Sequence, residues 1–584
     1  MKSLLVAVSF LLLTPASLFA QTEQDDSMHS EQQAIEFMGD RYVIHVDALH
    51  PDPDMTLMDV LLTCPELLSD NGKHLSQLYE LRIDNIMQIM DDETVLMALK
   101  ASEVSTVQVC SYTSVSKGGD GSGGIIDVYL KSQPDGATNG KLLLEGSTRG
   151  NGKVYTDIVS RGHNVTVRGY ALTNLEYARG PLTDIGRYSS RQGIENIHLA
   201  IDWDISERDN LLVKLHQNFK DSKHRFRDGD ISICLPELQR DLYGVASYKR
   251  ILNQQEGTLN AEGGLEYLST TTDNSQHGCM AYYFTELNMP LLNKDLNVMA
   301  GWEIDYVNTW TKHADRQQVM YNDFYAQFDY AKGPWVFTAG DRLRLINYWH
   351  RVYDVADSPL WHYHRSENSY LLSAGYKTDR HFLQGVYSYD YFVPGIYDFY
   401  SDDDDSQEHK IYNTNYLTSL FWRAELRYAY QRNDIVVNGS VLHSWSDDNL
   451  TTRQRHTGVM ASVTWRKGPL RLTAGADYYH VNVDGSHYYG RHHDNYFNLR
   501  LIPILVLPHG LRLSSMLLYN SRRQLPSETR PHLYASVKVS KQLSRNVTVS
   551  ADFHDLAGTP LIQSYLVGGS YDNRALTVAL AYRF

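Results

Sequence analysis

The side chains best suited to chemistry are histidines, aspartates and aromatic residues grouped at three places in the second half of the chain. Imidazole and carboxylate groups bind divalent metal ions, and aromatic rings stack on sugars or on flat chelators. A solvated acidic surface without a ligand is the alternative interpretation. The groups consist of Trp361, His362 and His364, of Tyr397, Tyr400, Asp402, Asp403 and His409, and of His487, His492 and His493.

Other kinds of chemistry have little support in the sequence. No Ser-His-Asp or paired-carboxylate arrangement can be assigned, because side chains scattered over many strands offer no spacing test. We therefore expect no enzymatic activity. The net charge of -15 argues against nucleic acid as a partner. The four cysteines are too far apart in the chain for a zinc pattern, and we expect neither a resident metal nor a cofactor.

The elements that must position these groups are β-strands. From about residue 140 to the end, apolar residues alternate with polar or small ones. Residues 470–479, 547–554 and 576–584 show this pattern over their full length. A period of two is expected where one sheet face meets lipid and the other meets a wet interior. A soluble β-sandwich shows the same period, so alternation alone does not decide the fold.

The connections between the strands favour a membrane barrel. Tight connections such as 331–334 and 466–469 alternate with longer polar ones such as 222–240 and 351–367. Membrane barrels have short periplasmic turns and long outer loops, so short and long connections alternate along the chain. A soluble barrel has no constraint that produces this alternation. We predict a mainly β fold, a transmembrane antiparallel β-barrel of about 22 strands over residues 140–584. The three groups then lie in outer loops.

Both ends of the sequence fit export to an outer membrane. Lys2, an apolar run over residues 4–13 and a small residue at Ala20 predict a signal peptide over residues 1–20. No later stretch of about 18 apolar residues predicts a membrane-spanning helix. The chain ends on Phe584, and a terminal aromatic residue resembles the signal that the barrel insertion machinery reads. We predict the outer membrane of a Gram-negative cell.

A barrel of this width would leak unless its lumen is filled. The candidate filling is residues 51–135, which follow an N-terminal extension over residues 21–50. They contain an amphipathic helix at 55–65, strands at 85–92 and 103–109, and a glycine-rich segment with Gly121, Gly123 and Gly124. The glycines allow a sharp turn before the apolar run 125–130. A phosphate-binding loop is the alternative, but it requires a following helix. We predict a small α/β plug.

This order of motifs resembles the plug domain of TonB-dependent outer-membrane receptors, most closely receptors of the Bacteroidetes type. The resemblance implies a plugged 22-stranded barrel that imports a nutrient, such as a metal chelate or a glycan. Its partners would be TonB with the inner-membrane energising complex and, in some related importers, a surface lipoprotein. The pattern departs from the family at Asp91-Asp92, where the family has Asp-Gly. A plugged barrel without TonB coupling, acting as a surface-binding or structural protein, is the alternative.

The family's TonB box has no clear counterpart here. The nearest candidate is the β-prone strip formed by Ala34, Ile35, Glu36, Phe37 and Met38, and residues Tyr42 to Val46 are the next. Such a strip would add to the edge of a TonB sheet. An ordinary plug strand is the alternative.

The predicted topology also bears on the cysteines. It places Cys234 in the third outer loop and Cys279 in the fourth. These loops are neighbours on the rim, and export makes disulfides possible. We therefore expect a disulfide between Cys234 and Cys279.

Overall fold

The chain is seen here in a computed structural model. It describes residues 34–38, 41–49, 51, 55–61, 64, 79–83, 86–88, 99–110, 124–131, 135–181, 186–228, 231–252, 256–271, 276–311, 316–351, 361–392, 419–432, 434–447, 452–485, 491–522, 531–557, 561–562, 570–571 and 574–584. The predicted signal peptide lies outside these residues.

Six short strands form one mixed sheet, which we call the plug sheet. Their order is β1-β2-β5-β6-β3-β4, with β3 and β6 parallel and the other pairs antiparallel. Ile44, Val107 and Val128 are fully buried in its core. The strands are β1 (Ile35–Met38), β2 (Arg41–His45), β3 (Tyr79–Ile83), β4 (Ile86–Gln88), β5 (Val104–Cys110) and β6 (Gly124–Leu130), with helix α1 (Leu57–Leu61) and single 3₁₀ turns at Val46–Leu49 and Ala101–Glu103.

The plug sheet differs in extent from the sequence expectation. It begins at Ile35, inside the segment 21–50 that we expected to be an N-terminal extension. The predicted helix at 55–65 is the short α1, and the strands predicted at 85–92 and 103–109 correspond to β4 and β5.

Twenty-two of the described strands form a closed antiparallel barrel, as predicted. They are β7 (Thr138–Ser147), β8 (Gly152–Arg161), β9 (Val165–Pro181), β10 (Gly186–Asp204), β11 (Asp209–Asp228), β12 (Ile231–Ile251), β13 (Thr258–Thr271), β14 (Gln276–Leu291), β15 (Leu296–Thr311), β16 (Arg316–Lys332), β17 (Trp335–Arg351), β18 (Trp361–Lys377), β19 (His381–Phe392), β20 (Ser419–Arg432), β21 (Ile435–Asp447), β22 (Thr452–Lys467), β23 (Leu470–Gly485), β24 (Arg491–Leu507), β25 (Leu511–Asn520), β26 (His532–Gln542), β27 (Val547–His554) and β30 (Ala575–Arg583). The strands β28 (Leu561–Ile562) and β29 (Ser570–Tyr571) form a separate pair.

The two faces of the barrel wall have opposite polarity. On β10, Ile197, Leu199 and Ile201 point outward and are 54, 39 and 40% exposed. Asn196 and His198, at alternate positions of the same strand, point inward and are buried. A closed barrel with an outward apolar band and a polar interior is built for a bilayer, because closure pairs every strand and lipid covers the band. The protein is therefore an outer-membrane protein. None of the described helices is long and apolar enough to cross a membrane.

The tight turns occur where the sequence predicted them. Connections 205–208, 333–334, 378–380, 468–469 and 543–546 all lie at one end of the barrel, which we call the turn end. Short turns mark the periplasmic side of such barrels. We call the opposite end the loop end.

The predicted outer loops are too long. The predicted loop 351–367 includes the start of β18 at Trp361. Residues 222–240 belong largely to β11 and β12, which are separated by residues 229–230. Asp221 and Lys223 pair with Leu238 and Pro236 in an unbroken ladder. Beyond the bilayer both faces of a strand can be polar, so the apolar alternation fades while the backbone pairing continues.

The barrel closes between its last strand and its first. Gly140 and Phe584 exchange two backbone hydrogen bonds of 3.0 Å each. A Cβ atom on Gly140 would lie 2.2 Å from the Phe584 ring, so the glycine makes room for the terminal aromatic side chain. Gly146 faces the same side of β7 and has open space around it.

The substitution Gly140→Val should weaken this seam. The valine displaces the tip of the Phe584 ring from its place over the glycine, and we expect a loss of about 1 kcal/mol, which is typical of a destabilising substitution. Gly146→Val is the matched control and should be neutral or slightly stabilising, because valine favours strands. The measurement is the denaturant midpoint for unfolding of the refolded barrel in detergent. Heat-modifiable gel mobility reports the folded fraction at each denaturant concentration. Equal midpoints for the two variants would show that the seam does not need a glycine at 140.

Candidate functional site

The plug sheet packs against the wall at the turn end of the barrel, and this contact is the best-defined candidate site. Phe37 on β1 lies with its ring centroid 4.9 Å from that of Phe382 on β19. The buried core of the plug continues onto Val436, Ile502 and Ile504 of the wall. Burial of one such aromatic or aliphatic side chain contributes about 1.5–3 kcal/mol. An apolar seat therefore holds one side of the plug.

Strand β1 is also held by polar contacts. The Lys377 ammonium donates to Glu36 Oε1 at 2.5 Å, and His45 Nε2 lies 3.5 Å from Glu36 Oε2. The backbone amide of Ala34 donates to the side chain of Gln431. Burial alone would raise the pKa of Glu36, but the hydrogen bonds and charges of His45 and Lys377 outweigh it and lower that pKa to about 2.

Helix α1 carries a second anchor. Asp59 Oδ2 accepts from Arg512 Nη2 at 3.0 Å and from the Thr56 backbone amide at 2.8 Å. The Asp59 amide in turn donates to Thr56 Oγ1 at 3.3 Å, so the pair also caps the start of the helix. Burial opposes ionisation, yet the Arg512 charge and the Thr56 hydrogen bonds lower the pKa of Asp59 to about 2.

Further barrel cations hold other parts of the plug. The Arg427 guanidinium lies 4.6 Å from the centre of the Tyr42 ring. Arg471 Nη2 donates to the Leu49 carbonyl at 3.4 Å. Cation–π contacts shielded from water contribute about 2 kcal/mol or more. Glu103 of the plug lies 4.0 Å from Lys141 and 3.7 Å from Arg583, measured between the charged atoms.

These anchors are not among the residues predicted from the sequence, although a signal was present. Arg471 and Arg512 are each the second residue of a strand and directly follow a tight turn, and Lys377 is the last residue before one. A cation at an inward position beside a periplasmic turn needs a compensating charge, which indicates an acidic partner inside the lumen. Which plug acid each cation meets depends on the folded structure.

The loop-end half of the lumen is lined by ion pairs within the wall itself. Asp323 is fully buried and accepts from Arg342 Nε at 2.7 Å and from Arg344 Nε at 2.8 Å. Arg342 also pairs with Glu303. These charges face the interior and are compensated by one another, as buried charges must be. The inner wall is thus a polar surface rather than an apolar core.

The residues predicted to bind substrate are only partly described. Trp361, His362 and His364 begin β18, and His492 and His493 begin β24, so both sets stand at the loop end. His364 and His493 are exposed. Six strand spacings of about 4.8 Å separate β18 from β24 along the wall, so the two sets are not adjacent. Tyr397, Tyr400, Asp402, Asp403, His409 and His487 lie outside the described residues. In the part of the chain that is described, no group of three or more His, Cys, Asp or Glu side chains is placed to hold a metal ion.

The glycine-rich segment and the candidate TonB strip both map to the plug sheet. Gly124 is the first residue of β6 and pairs with Tyr79, whereas Gly121 and Gly123 lie outside the described residues. The strip Ala34–Met38 provides β1, an edge strand of the plug sheet. Ala34, Ile35 and Phe37 are buried, and Met38 is 51% exposed.

The predicted disulfide is wrong, because Cys234 and Cys279 are both free thiols. They lie on β12 and β14, not in loops, and β13 runs between these strands. Cys279 is in register with Tyr267, which is in register with Leu242. Cys234 therefore lies eight residues further along β12, about 26 Å away at 3.3 Å per residue. A disulfide requires Cα atoms within about 7 Å.

Several solved structures share this fold. The closed form of the ferric-catecholate import receptor Fiu from E. coli K12 aligns with a TM-score of 0.68 and 12% identity, over 97% of this chain and 100% of that chain. The ferric yersiniabactin uptake receptor FyuA from Yersinia pestis gives 0.68 and 12%, over 94% and 98%. The siderophore receptor PirA from Pseudomonas aeruginosa gives 0.65 and 11%, over 94% and 100%.

These likenesses establish the fold, a 22-stranded barrel with an N-terminal plug as in TonB-dependent receptors. No family model and no curated protein matches the chain. The expected likeness to Bacteroidetes-type receptors gains no support from these structures.

Acid should loosen the plug. Glu36 and Asp59 have pKa values of about 2 in the folded protein, below their ordinary values of 4.5 and 3.8. Their stabilisation is therefore complete above about pH 4.5 and is lost as the pH falls towards 2. Calorimetric unfolding of the plug at pH 7, 4 and 2.5 should show this loss. The double variant Glu36→Gln/Asp59→Asn should be less stable at pH 7 and should lose less stability on acidification. An equal loss of stability in both proteins would show that these two carboxylates do not cause the acid sensitivity of the plug.

Proposed function

We propose that this protein is a TonB-dependent receptor that imports a nutrient across the outer membrane. The observation that carries the proposal is the plug sheet, which is seated at the turn end by noncovalent contacts. Ion pairs such as Glu36–Lys377 and Asp59–Arg512 break and re-form without any covalent change. A plug fastened in this way can be displaced by a pull from the periplasm and can return to its seat afterwards.

The strip Ala34–Met38 is the proposed point of TonB contact. It forms the edge strand β1, and an edge strand offers unpaired backbone groups to an added strand. Tension on β1 would first act on the Ala34–Gln431 hydrogen bond, the Glu36–Lys377 ion pair and the Phe37–Phe382 contact. These three contacts form one latch between β1 and the wall, which we call the β1 latch.

The proposed cargo is a metal chelate, with a glycan as the other candidate. The solved receptors named above are titled for siderophores and ferric chelates, which supports the first choice. The residues at the start of β18 and β24, at the loop end, are proposed to bind the cargo: Trp361, His362, His364, His492 and His493. The sequence prediction adds Tyr397, Tyr400, Asp402, Asp403, His409 and His487 to this proposed set. No bond in the cargo needs to break, so the proposed activity is not enzymatic. The remaining proposed partners are the barrel insertion machinery, which would engage Phe584, and a surface lipoprotein.

A plugged barrel without TonB coupling is the second candidate. Its support is the position of β1, whose Ala34, Ile35 and Phe37 side chains are buried against plug and wall. A strand integrated in this way need not be available to a periplasmic partner. The two candidates differ in whether β1 leaves its seat during function.

Tethering the β1 latch should stop import. In the variant Ala34→Cys/Gln431→Cys a short bismaleimide would link plug and wall, because the Ala34 amide already reaches the Gln431 side chain. Uptake of a panel of ferric chelates and glycans by cells carrying the tethered protein should fall at least tenfold. Each single cysteine variant and the wild type, treated with the same reagent, should keep their uptake. Full uptake by the tethered protein would mean that the plug does not move at this latch.

Met38 should report TonB contact directly. It is the exposed end of β1, so a photo-crosslinking residue at 38 should capture TonB in energised cells. Leu543 is the control, since it is 63% exposed in a tight turn at the same end of the barrel. Capture at both positions, or at neither, would favour the barrel without TonB coupling through β1.

A further inference from the structure

A pair of histidines lies on the inner wall, on strands β10 and β11, away from the apolar seat of the plug. His198 and His216 are directly opposite each other in the β10–β11 register. Both point into the lumen and are only 2% and 1% exposed. Tyr170 on β9 stacks on the His198 ring, with centroids 5.0 Å apart, and lies 6.5 Å from the His216 ring.

The ring nitrogens of this pair have no hydrogen-bond partner. Within the described structure, nothing bonds to Nδ1 or Nε2 of His198 or of His216. The next inward pair towards the loop end, Asn196 and Asn218, is equally buried, and its amide atoms are also unpartnered. Asp241 faces Asn218 from β12 with an unpartnered Oδ1. Buried polar atoms almost always bind something, so a concentration of unpartnered ones indicates a ligand site.

The spacing of the two rings fits one shared metal ion. Their centroids lie 5.7 Å apart. Two imidazoles bound to one ion with metal–nitrogen distances of about 2.0–2.1 Å have centroids about 5 Å apart, so a small ring rotation suffices. We propose that His198 and His216 together bind a divalent late first-row transition metal ion, of the Ni²⁺, Cu²⁺ or Zn²⁺ class. Neutral imidazole is a preferred ligand for these ions.

The residues on the two sides of the histidine pair favour entry of a cation from the loop end and oppose its passage to the turn end. Asn196, Asn218 and Asp241 lie on its loop-end side, where amide oxygens and a carboxylate favour an arriving cation. Lys214 and Arg168 lie one inward position towards the turn end, and their positive charges oppose its further passage. An ion that enters from outside would therefore stop at the histidine pair. Amide oxygens or water would complete its coordination, because the described residues place no third His, Cys, Asp or Glu beside the pair.

Copper binding to the purified full-length protein in detergent tests this site. After prolonged incubation with Cu²⁺ and desalting, the wild type should retain one copper ion whose electron paramagnetic resonance spectrum shows coupling to two nitrogens. His198→Gln/His216→Gln should lose that ion, and each single variant should bind it at least tenfold more weakly. Glutamine keeps a polar side chain on the lumen wall, and heat-modifiable gel mobility checks that the variants fold.

Variants of two exposed histidines are the controls for this experiment. His163→Gln and His509→Gln alter exposed imidazoles in turns and should leave the retained ion unchanged. Equal copper retention by the wild type and the double variant would overturn the proposal, as would loss of the ion in the surface controls. The measurement needs neither TonB nor cargo, so its failure would leave the import proposal standing, and failed import would leave this site standing.

Discussion

Every backbone amide within a bilayer must find a partner inside the protein, and this requirement organises the whole molecule. It is met by joining β30 to β7, where Phe584 and Gly140 exchange their backbone hydrogen bonds. Once twenty-two strands close in this way, the lumen is too wide for wall side chains to fill. The plug sheet and the inward ion pairs are consequences of that closure.

The plug is fastened unevenly around the lumen. On one side, Phe37 and the plug core pack on Phe382, Ile502 and other apolar residues of β19 to β24. Acidic plug residues meet Lys377, Arg512 and Lys141 near the same end. On the β9–β12 side most of the buried wall residues are instead polar, and they include His198 and His216. Apolar burial is non-directional, whereas ion pairs are specific, so together they fix both the seat and the orientation of the plug.

The sequence could predict much of this barrel and little of its site. The period of two and the tight turns gave the number of strands and the end that faces the periplasm, because both are local properties. The assignment of 222–240 to a loop failed because backbone pairing continues where the apolar alternation stops. The Cys234–Cys279 disulfide failed because neighbouring loops do not imply neighbouring residues when strands are long and their register is unknown.

By itself the sequence determined a closed membrane barrel with a small α/β domain before it. Alternation, turn residues and strand lengths depend only on residues that are close together in the chain. The folded structure decided which distant residues meet. Asp59 and Arg512 are 453 positions apart, and Glu36 and Lys377 are 341 apart. His198 faces His216 because the β10–β11 turn sets that register. Such pairings depend on strand register and on where the plug sits, and neither is fixed by any local pattern. The barrel was therefore predictable from residue types in order, while the β1 latch and the histidine pair required the three-dimensional arrangement.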